Sequence, residues 1–307
     1  MTPKKLLKKT LLKALLCFNA APLCARLSRT GMFPKRFWRR LAGLASEIDL
    51  SDQPREILLP LPGRRTMRLQ LDLHEEMEWE IYFFGTHEPG TTAFLKRRFS
   101  DPRLRVVYDI GSNIGYYAIL AAALMPEGRQ VEAFEPVPWM FEMLEKNARL
   151  NGLKNLRAHE AAVGRETGVA PLFLPRGRQI PSTNGTLQKA WAAGFLREPG
   201  SPLDQIQVRV EQLDRLIEQK VLPVPEMIRM DIEGSEADAL AGMGRTLERH
   251  GPELVLEVLE PAFGPIGELL RKANYVTYRI EPNGAIQESS LEPHPKATRD
   301  WYAARRI

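Results

Sequence analysis

Apolar and polar positions alternate over residues 55–73 in the manner of a hairpin. Ile57 to Leu61 and Met67 to Leu73 form its two arms, separated by Pro62-Gly63-Arg64-Arg65. Met67, Leu69, Leu71 and Leu73 fall on one face of the second arm. A mixed stretch follows from Glu75 to Phe84, then Gly85-Thr86-His87-Glu88-Pro89-Gly90. Thr91 or Thr92 is placed to cap a short helix running through Phe99. From Arg105 the pattern becomes regular. Strands are predicted over Arg105–Ile110, Gln130–Phe134, Leu156–Val163, Ile206–Val210, Glu226–Asp231, Glu253–Leu259 and Tyr275–Ile280. Helices are predicted from about Gly115 to Leu124, Trp139 to Leu150, Leu213 to Gln219, Ser235 to Met243 and Gly267 to Ala273. Asn151-Gly152 reads as the left-handed end of the second of these.

Strands that alternate with helices imply an α/β fold: a mostly parallel, Rossmann-like sheet with helices on both faces and an N-terminal hairpin and helical extension. The expected organisation is an arm over 1–50, the extension over 51–104, the α/β domain over 105–285 and a tail over 286–307. Residues 171–207, with five prolines and four glycines, read as a loop insertion in that domain. Loops of that length inside a compact domain usually serve a function or lack fixed structure.

Composition narrows the class. Hydrophobic residues make up 44% and charged residues 26%, which excludes a collagen-like or wholly disordered chain. No apolar run is long enough to read as a membrane span. Cys17 and Cys24 cannot staple a fold of this size, and the five histidines show no metal-ligand spacing, so a disulfide scaffold and a common zinc hydrolase are both disfavoured. Cysteine usage suits a reducing compartment, and the chain is expected to be cytoplasmic.

The net charge of +5 is unevenly placed, because residues 1–50 hold eleven Lys and Arg against Glu47 and Asp49. On a helical wheel Leu7, Leu11, Ala14, Leu15 and Phe18 share a face opposite Lys5, Lys9 and Lys13. Lys35-Arg36-Phe37-Trp38-Arg39-Arg40 adds an aromatic and basic cluster. Three readings stand for residues 1–45: a solvated or docked helix, an export segment, and a helix on anionic lipid that would make the protein peripheral to the inner membrane face. No motif points to nucleic acid.

Candidate chemistry gathers at strand ends. The strand 105–110 runs into Asp109-Ile110-Gly111-Ser112-Asn113-Ile114-Gly115, where the two glycines allow a tight turn and close approach to a ligand. Glu135-Pro136 closes the next strand, where a carboxylate can accept hydrogen bonds from both ribose hydroxyls. Asn113 replaces the second glycine of a dinucleotide fingerprint, which disfavours a nicotinamide-dependent oxidoreductase. The acid before the first glycine suits a ligand with a cationic amino-acid end, such as S-adenosylmethionine. Asp231 and Glu233 end a later strand expected beside the first, and so point to the same cleft. Ser235 with Asp238 forms a Ser-x-x-Asp capping box there, with Glu236 in the first turn.

Three segments, Val107 to Tyr117, Ala133 to Pro136 and Ile228 to Glu236, resemble the motifs of FkbM-type methyltransferases in order and spacing. Gly85 to Pro89 and Glu211 to Asp214 are weaker echoes. The resemblance covers about residues 80–280 and implies a class I S-adenosylmethionine-dependent methyltransferase, usually acting on oxygen. It implies that Asp109, Gly111, Asn113 and Gly115 hold the methionine end of the cofactor and Glu135 its ribose. The expected acceptor is a small molecule, sugar, glycan or lipid-linked hydroxyl. Asp231 is the first choice for the base or for a ligand to any divalent metal, and Glu233 the second. Arg176, Arg178 and Trp191 are expected to contact the acceptor, though a solvated basic lid would look the same. A non-catalytic, membrane-associated binding module on this fold is the non-enzymatic alternative.

Overall fold

The computed structural model describes residues 55–72, 75–175, 185–194, 203–293 and 299–305. The basic arm, Arg176 and Arg178 lie outside these residues. The chain divides into two compact units, one of residues 1–88 with 177–183 and one of residues 89–176 with 184–307.

In the first unit, β1 (Arg55–Pro60) pairs antiparallel with β2 (Thr66–Leu71) in the register Ile57↔Leu69 and Leu59↔Met67. Those four side chains and Leu71 are buried, as the alternation predicts. The mixed stretch is a helix, Glu76–Phe84, whose end Gly85 closes in the left-handed region with its N–H on the Ile81 carbonyl.

The second unit opens with the helix Pro89–Phe99. Proline starts it, so Thr91 and Thr92 are interior and buried instead of capping. Thr91 Oγ1 donates to Asp300 Oδ2 at 2.5 Å. Five parallel strands follow: β3 (Val106–Ile110), β4 (Gln130–Phe134), β5 (Leu156–His159), β9 (Met227–Met230) and β10 (Glu253–Glu257). Helices Tyr116–Leu124, Pro138–Leu150, Glu236–Gly242, Gly244–His250 and Phe263–Lys272 intervene. The expected helix 235–243 is thus followed at once by a second, with Met243 between them out of helical geometry.

The C-terminal residues depart from the expected tail. The full sheet has the order β12-β11-β13-β10-β9-β3-β4-β5, where β11 is Tyr275–Ile280, β12 Ile286–Glu288 and β13 Asp300–Arg305. β13 inserts antiparallel between β10 and β11, burying Trp301 and Ala303. Its apolar run, Trp301 to Ala304, is too short to stand out by periodicity. It is a strand because both neighbours supply its hydrogen bonds.

The predicted strand 156–163 also divides, because Ala162–Val163 (β6) leaves the large sheet for a small one of order β6-β8-β7. There β7 (Gly168–Pro175) runs antiparallel to β8 (Leu203–Glu211), and a short helix spans Lys189–Gly194. What reads as a loop insertion is therefore flanked by paired strands.

Tyr108, Ile110, Phe134, Ile228, Met230, Leu240, Leu254, Leu256 and Trp301 belong to one buried cluster. Each fully buried apolar side chain contributes roughly 1.5–3 kcal/mol. This rigid layer sits under the strand ends that carry the candidate site.

Candidate active site

β3 has β4 on one side and β9 on the other, so the chain winds away from it in both directions. In open α/β sheets the crevice at such a switch point, beyond the carboxyl ends of the strands, is where ligands bind. Asp109, Glu135 and Asp231 lie at that end of three adjacent strands, with Asp109 in register with Arg229 and Ile110 with both Phe134 and Met230.

The turn after β3 is built on its neighbours. The N–H groups of Gly111 and Ser112 donate to the Phe134 carbonyl at 3.0 and 2.9 Å. Ser112 Oγ returns to the Asp109 carbonyl at 2.7 Å, and the buried Asn147 donates from Nδ2 to the Ile114 carbonyl at 3.0 Å. Gly111, Asn113 and Gly115 all have positive φ, at 77°, 52° and 92°. The glycines are required by the tight turn and by the protein's own packing. A Cβ on Gly111 would lie 1.8 Å from the Asp231 carbonyl oxygen, and one on Gly115 would lie 2.5 Å from Leu144 Cδ1.

Glu135 is buried, and both its oxygens already accept hydrogen bonds. Oε2 takes the Asn113 N–H at 2.7 Å and Oε1 the Val137 N–H at 2.9 Å. Each oxygen keeps a second lone pair for a ligand hydroxyl. Burial pushes this carboxyl up to about 7 against those two bonds. The residue holds the turn as well as facing the crevice, a double duty that sequence alone did not show.

Asp109 is 1% exposed. Its Oδ1 meets Arg229 Nη1 at 3.5 Å, while Oδ2 has no hydrogen-bond partner among the described residues. Burial raises its pKa, and the Arg229 charge, the Ser112 hydroxyl and the Ala118 N–H oppose that rise. A buried carboxylate oxygen without a partner is costly unless a donor arrives. The ammonium end of an amino-acid ligand is such a donor, so the residues fit the cofactor the resemblance implies.

Arg229 joins this carboxylate to the other side of the crevice. Its Nη2 donates to Asp231 Oδ2 at 2.6 Å, its Nη1 to the Gly111 carbonyl at 3.1 Å, and its guanidinium lies 4.6 Å from the centre of the Tyr117 ring. The Asp231 side chain keeps 24% of its surface exposed, against 2% for Asp109.

Beyond Asp231 the chain turns through Glu233 and Gly234, with φ at 52° and 90°. The expected capping box is absent, since Ser235 makes no capping bond and Asp238 pairs with Arg165 and Gln188. Glu236 does that work instead. It folds back so that Oε1 accepts the N–H groups of Ile232 and Gly234 at 3.0 and 3.3 Å. Burial pushes Glu236 up to about 7 and Glu233 up to about 8, with the nearby Asp231 charge adding to both.

Two further groups border this loop. Trp191 packs its indole on Gly234, where a Cβ would come within 2.7 Å of the ring, and its contact with Glu233 favours the charged carboxylate. Glu257, at the end of β10, is held above the usual carboxylate range by burial and by Asp231 and Glu233. Asp231, Glu233 and Glu257 each bring an oxygen within 4.8 Å of the others, a spacing a divalent cation could bridge.

The sequence-predicted residues Asp109, Gly111, Asn113, Gly115, Glu135, Asp231, Glu233 and Trp191 therefore gather about one crevice. Arg229, Asn147 and Glu257 belong to it too, and sequence reasoning passed over them. Glu257 left a legible trace, being an acid at the end of a strand next to β9. Asn147 left none, because it works by reaching a backbone carbonyl distant in sequence, and Arg229 left little, because its Asp109 and Gly111 partners are remote.

Comparison with known proteins agrees in kind. The profile described as Methyltransferase FkbM domain matches residues 109–277. Methyltransferase 1 of Beauveria bassiana is 29% identical over 148 residues, 45% of this chain and 57% of that protein. The hexuronic acid methyltransferase AglP of Haloferax volcanii is 27% identical, covering 47% of this chain and 52% of the relative. The 2-O-methyltransferase NoeI of Sinorhizobium fredii is 28% identical, covering 47% and 59%. The chain thus spans just over half the length of these curated relatives.

Proposed function

The chain belongs to the FkbM methyltransferase family, and on that premise we propose that it transfers a methyl group from S-adenosylmethionine to a hydroxyl oxygen of a sugar, glycan or related small-molecule or lipid-linked acceptor. The observation that carries the reading is the convergence of Glu135, Asp109 and Asp231 at the ends of the adjacent strands β4, β3 and β9, around a glycine turn. When bound, S-adenosylmethionine supplies a methyl group already activated by its sulfonium charge.

The residues divide the remaining work. Asp109 takes the ammonium of the amino-acid end, with Gly111, Asn113 and Gly115 shaping the turn around it, and Glu135 takes ribose hydroxyls on its free lone pairs. Asp231, ion-paired with Arg229 and partly open to solvent, accepts a hydrogen bond from the acceptor hydroxyl and aligns its oxygen. Removing that proton raises the nucleophilicity of the oxygen. Glu233, pushed up to about 8, is a stronger base than an ordinary carboxylate and can receive a proton in its ionised fraction, which grows as pH rises toward 8. Trp191 supplies an apolar wall. Asp231, Glu233 and Glu257 are the residues that would hold a divalent ion, whose charge would also lower the pKa of the acceptor hydroxyl.

The acceptor class follows the relatives named for hexuronic acid and for 2-O methylation. Arg176 and Arg178 would suit the carboxylate of an acidic sugar. A membrane contact through residues 1–45 would suit an acceptor carried on lipid. The test is methyl transfer from labelled S-adenosylmethionine to uronic acids, neutral glycosides and lipid-linked sugars, each with magnesium ion and with chelator. A methyl ether identified by mass spectrometry is the expected product. Absence of S-adenosylhomocysteine binding, or methylation of nitrogen alone, would overturn the reading.

A further inference from the structure

Arg229 is a nearly buried cation, its side chain 6% exposed, and the chemistry assigned above does not use it directly. Its position is unusual for what it joins. One nitrogen meets Asp109 Oδ1 at 3.5 Å and the Gly111 carbonyl at 3.1 Å, both on the cofactor side. The other meets Asp231 Oδ2 at 2.6 Å on the acceptor side. Tyr117, at the start of the helix after the turn, covers the guanidinium at 4.6 Å.

Resting on the methyltransferase reading, we propose that Arg229 is a positioning residue that fixes the Asp109 and Asp231 carboxylates in one geometry, so that the cofactor turn and the acceptor-binding acid are set by a single guanidinium. The fork is what the task needs. A guanidinium presents donors in a fixed plane and can serve two carboxylates and a carbonyl together. An ammonium is a point charge and cannot hold both sides at these distances and angles. Without the cation, two carboxylates at adjacent strand ends would face each other in a poorly solvated site, where like charges repel strongly. Neutral aliphatic filling would leave that repulsion in place even if the volume were kept.

This separates positioning from packing. If Arg229 acts by neutralising and aligning the pair, then removing the second charge should relieve the damage caused by removing the first. A residue that only fills space gives no such relief.

The test is a double-substitution cycle read by calorimetric titration with S-adenosylhomocysteine, with thermal melts to confirm folding. Arg229→Met is expected to weaken binding at least tenfold, and Asp231→Asn alone to change it less than about threefold. Arg229→Met combined with Asp231→Asn should recover most of the loss. Should Arg229→Met not fold, the neutral and polar Arg229→Gln serves in its place, with a loss that Asp231→Asn again relieves. Binding by the Arg229 variant within twofold of wild type overturns the proposal. So does a loss that is the same with and without Asp231→Asn. A wild-type protein that does not bind S-adenosylhomocysteine would instead overturn the methyltransferase reading, and this inference with it.

Discussion

Gly111 and Asp231 are packed backbone to backbone: a Cβ on the glycine would stand 1.8 Å from the Asp231 carbonyl oxygen. The two loops that carry the candidate cofactor and acceptor residues therefore have no gap between them at this point. They leave adjacent strands, β3 and β9, and the Asp231 N–H is bonded to the Ile110 carbonyl at 3.0 Å. The crevice is one rigid floor with two chemical halves.

Gly111→Ala should accordingly damage both halves at once. The residue has φ of 77°, which costs an L-residue roughly 1–2 kcal/mol, and the new methyl meets backbone that cannot rotate away. A total loss of about 3 kcal/mol or more is expected in denaturant unfolding, together with loss of S-adenosylhomocysteine binding. Gly152, also at positive φ but with open space around its Cβ position, is the control. Gly152→Ala should cost only the backbone term and leave binding intact. Equal effects at the two sites would refute this account of the turn.

Asp231→Asn should lower turnover by at least about a hundredfold, since removing a charged hydrogen-bond acceptor on the reacting oxygen costs several kcal/mol. Cofactor affinity should stay within about threefold, because Arg229 still has Asp109 and the Gly111 carbonyl. Steady-state kinetics beside calorimetry separates the two effects. Near-normal turnover would remove Asp231 from the reaction.

The parallel core was legible because its strands are short apolar runs between turn residues, and Asp109, Glu135, Asp231 and Glu233 were legible because acids at such strand ends are rare without cause. What was hidden depends on partners remote in sequence. β13 is a strand only between β10 and β11, and four apolar residues carry no period. Ser235 with Asp238 matched a capping pattern, yet Arg165 and Gln188 draw Asp238 away and Glu236 takes the free N–H groups. The two glycines of the turn are legible as a tight turn, but their contacts with Asp231 and Leu144 join segments remote in sequence. Arg229 looked like a strand residue beside more conspicuous acids, and only the register with Asp109 reveals its reach.

The crevice acids make stability depend on pH in a defined direction. Burial lifts Glu135 and Glu236 to about 7 and Glu233 to about 8, well above the 4.5 of a free glutamate. Between those limits the folded protein keeps protons that the unfolded chain has released. Stability from these groups is full below about pH 4.5 and is lost as pH rises through 7 and 8. The lowered acid Asp101 acts at more acidic pH and does not offset this. Unfolding followed from pH 5 to 8.5 in chelator should show a fall. Glu233→Gln should flatten it by up to about 1.4 kcal/mol per pH unit, the limit for one proton. A curve that is level or rising over this range would contradict the assignment.

Trp191 should affect the acceptor more than the cofactor. Ala192, beside it in the helix Lys189–Gly194, is fully buried and anchors the segment, while the indole rests on Gly234 next to Glu233. Trp191→Ala should raise acceptor KM about tenfold, equivalent to ~1.4 kcal/mol, and leave S-adenosylhomocysteine affinity within twofold. It should also move the pH profile of kcat. The indole contact favours the charged form of Glu233, so its loss lifts that carboxyl further and shifts the rising limb toward alkaline pH. Trp191→Phe retains the apolar wall without the N–H, and so should keep most of the KM while showing the same alkaline shift. A Phe variant with a normal pH profile and a Trp191→Ala variant with unchanged KM would together mean that the indole only packs against Gly234 and never meets the acceptor.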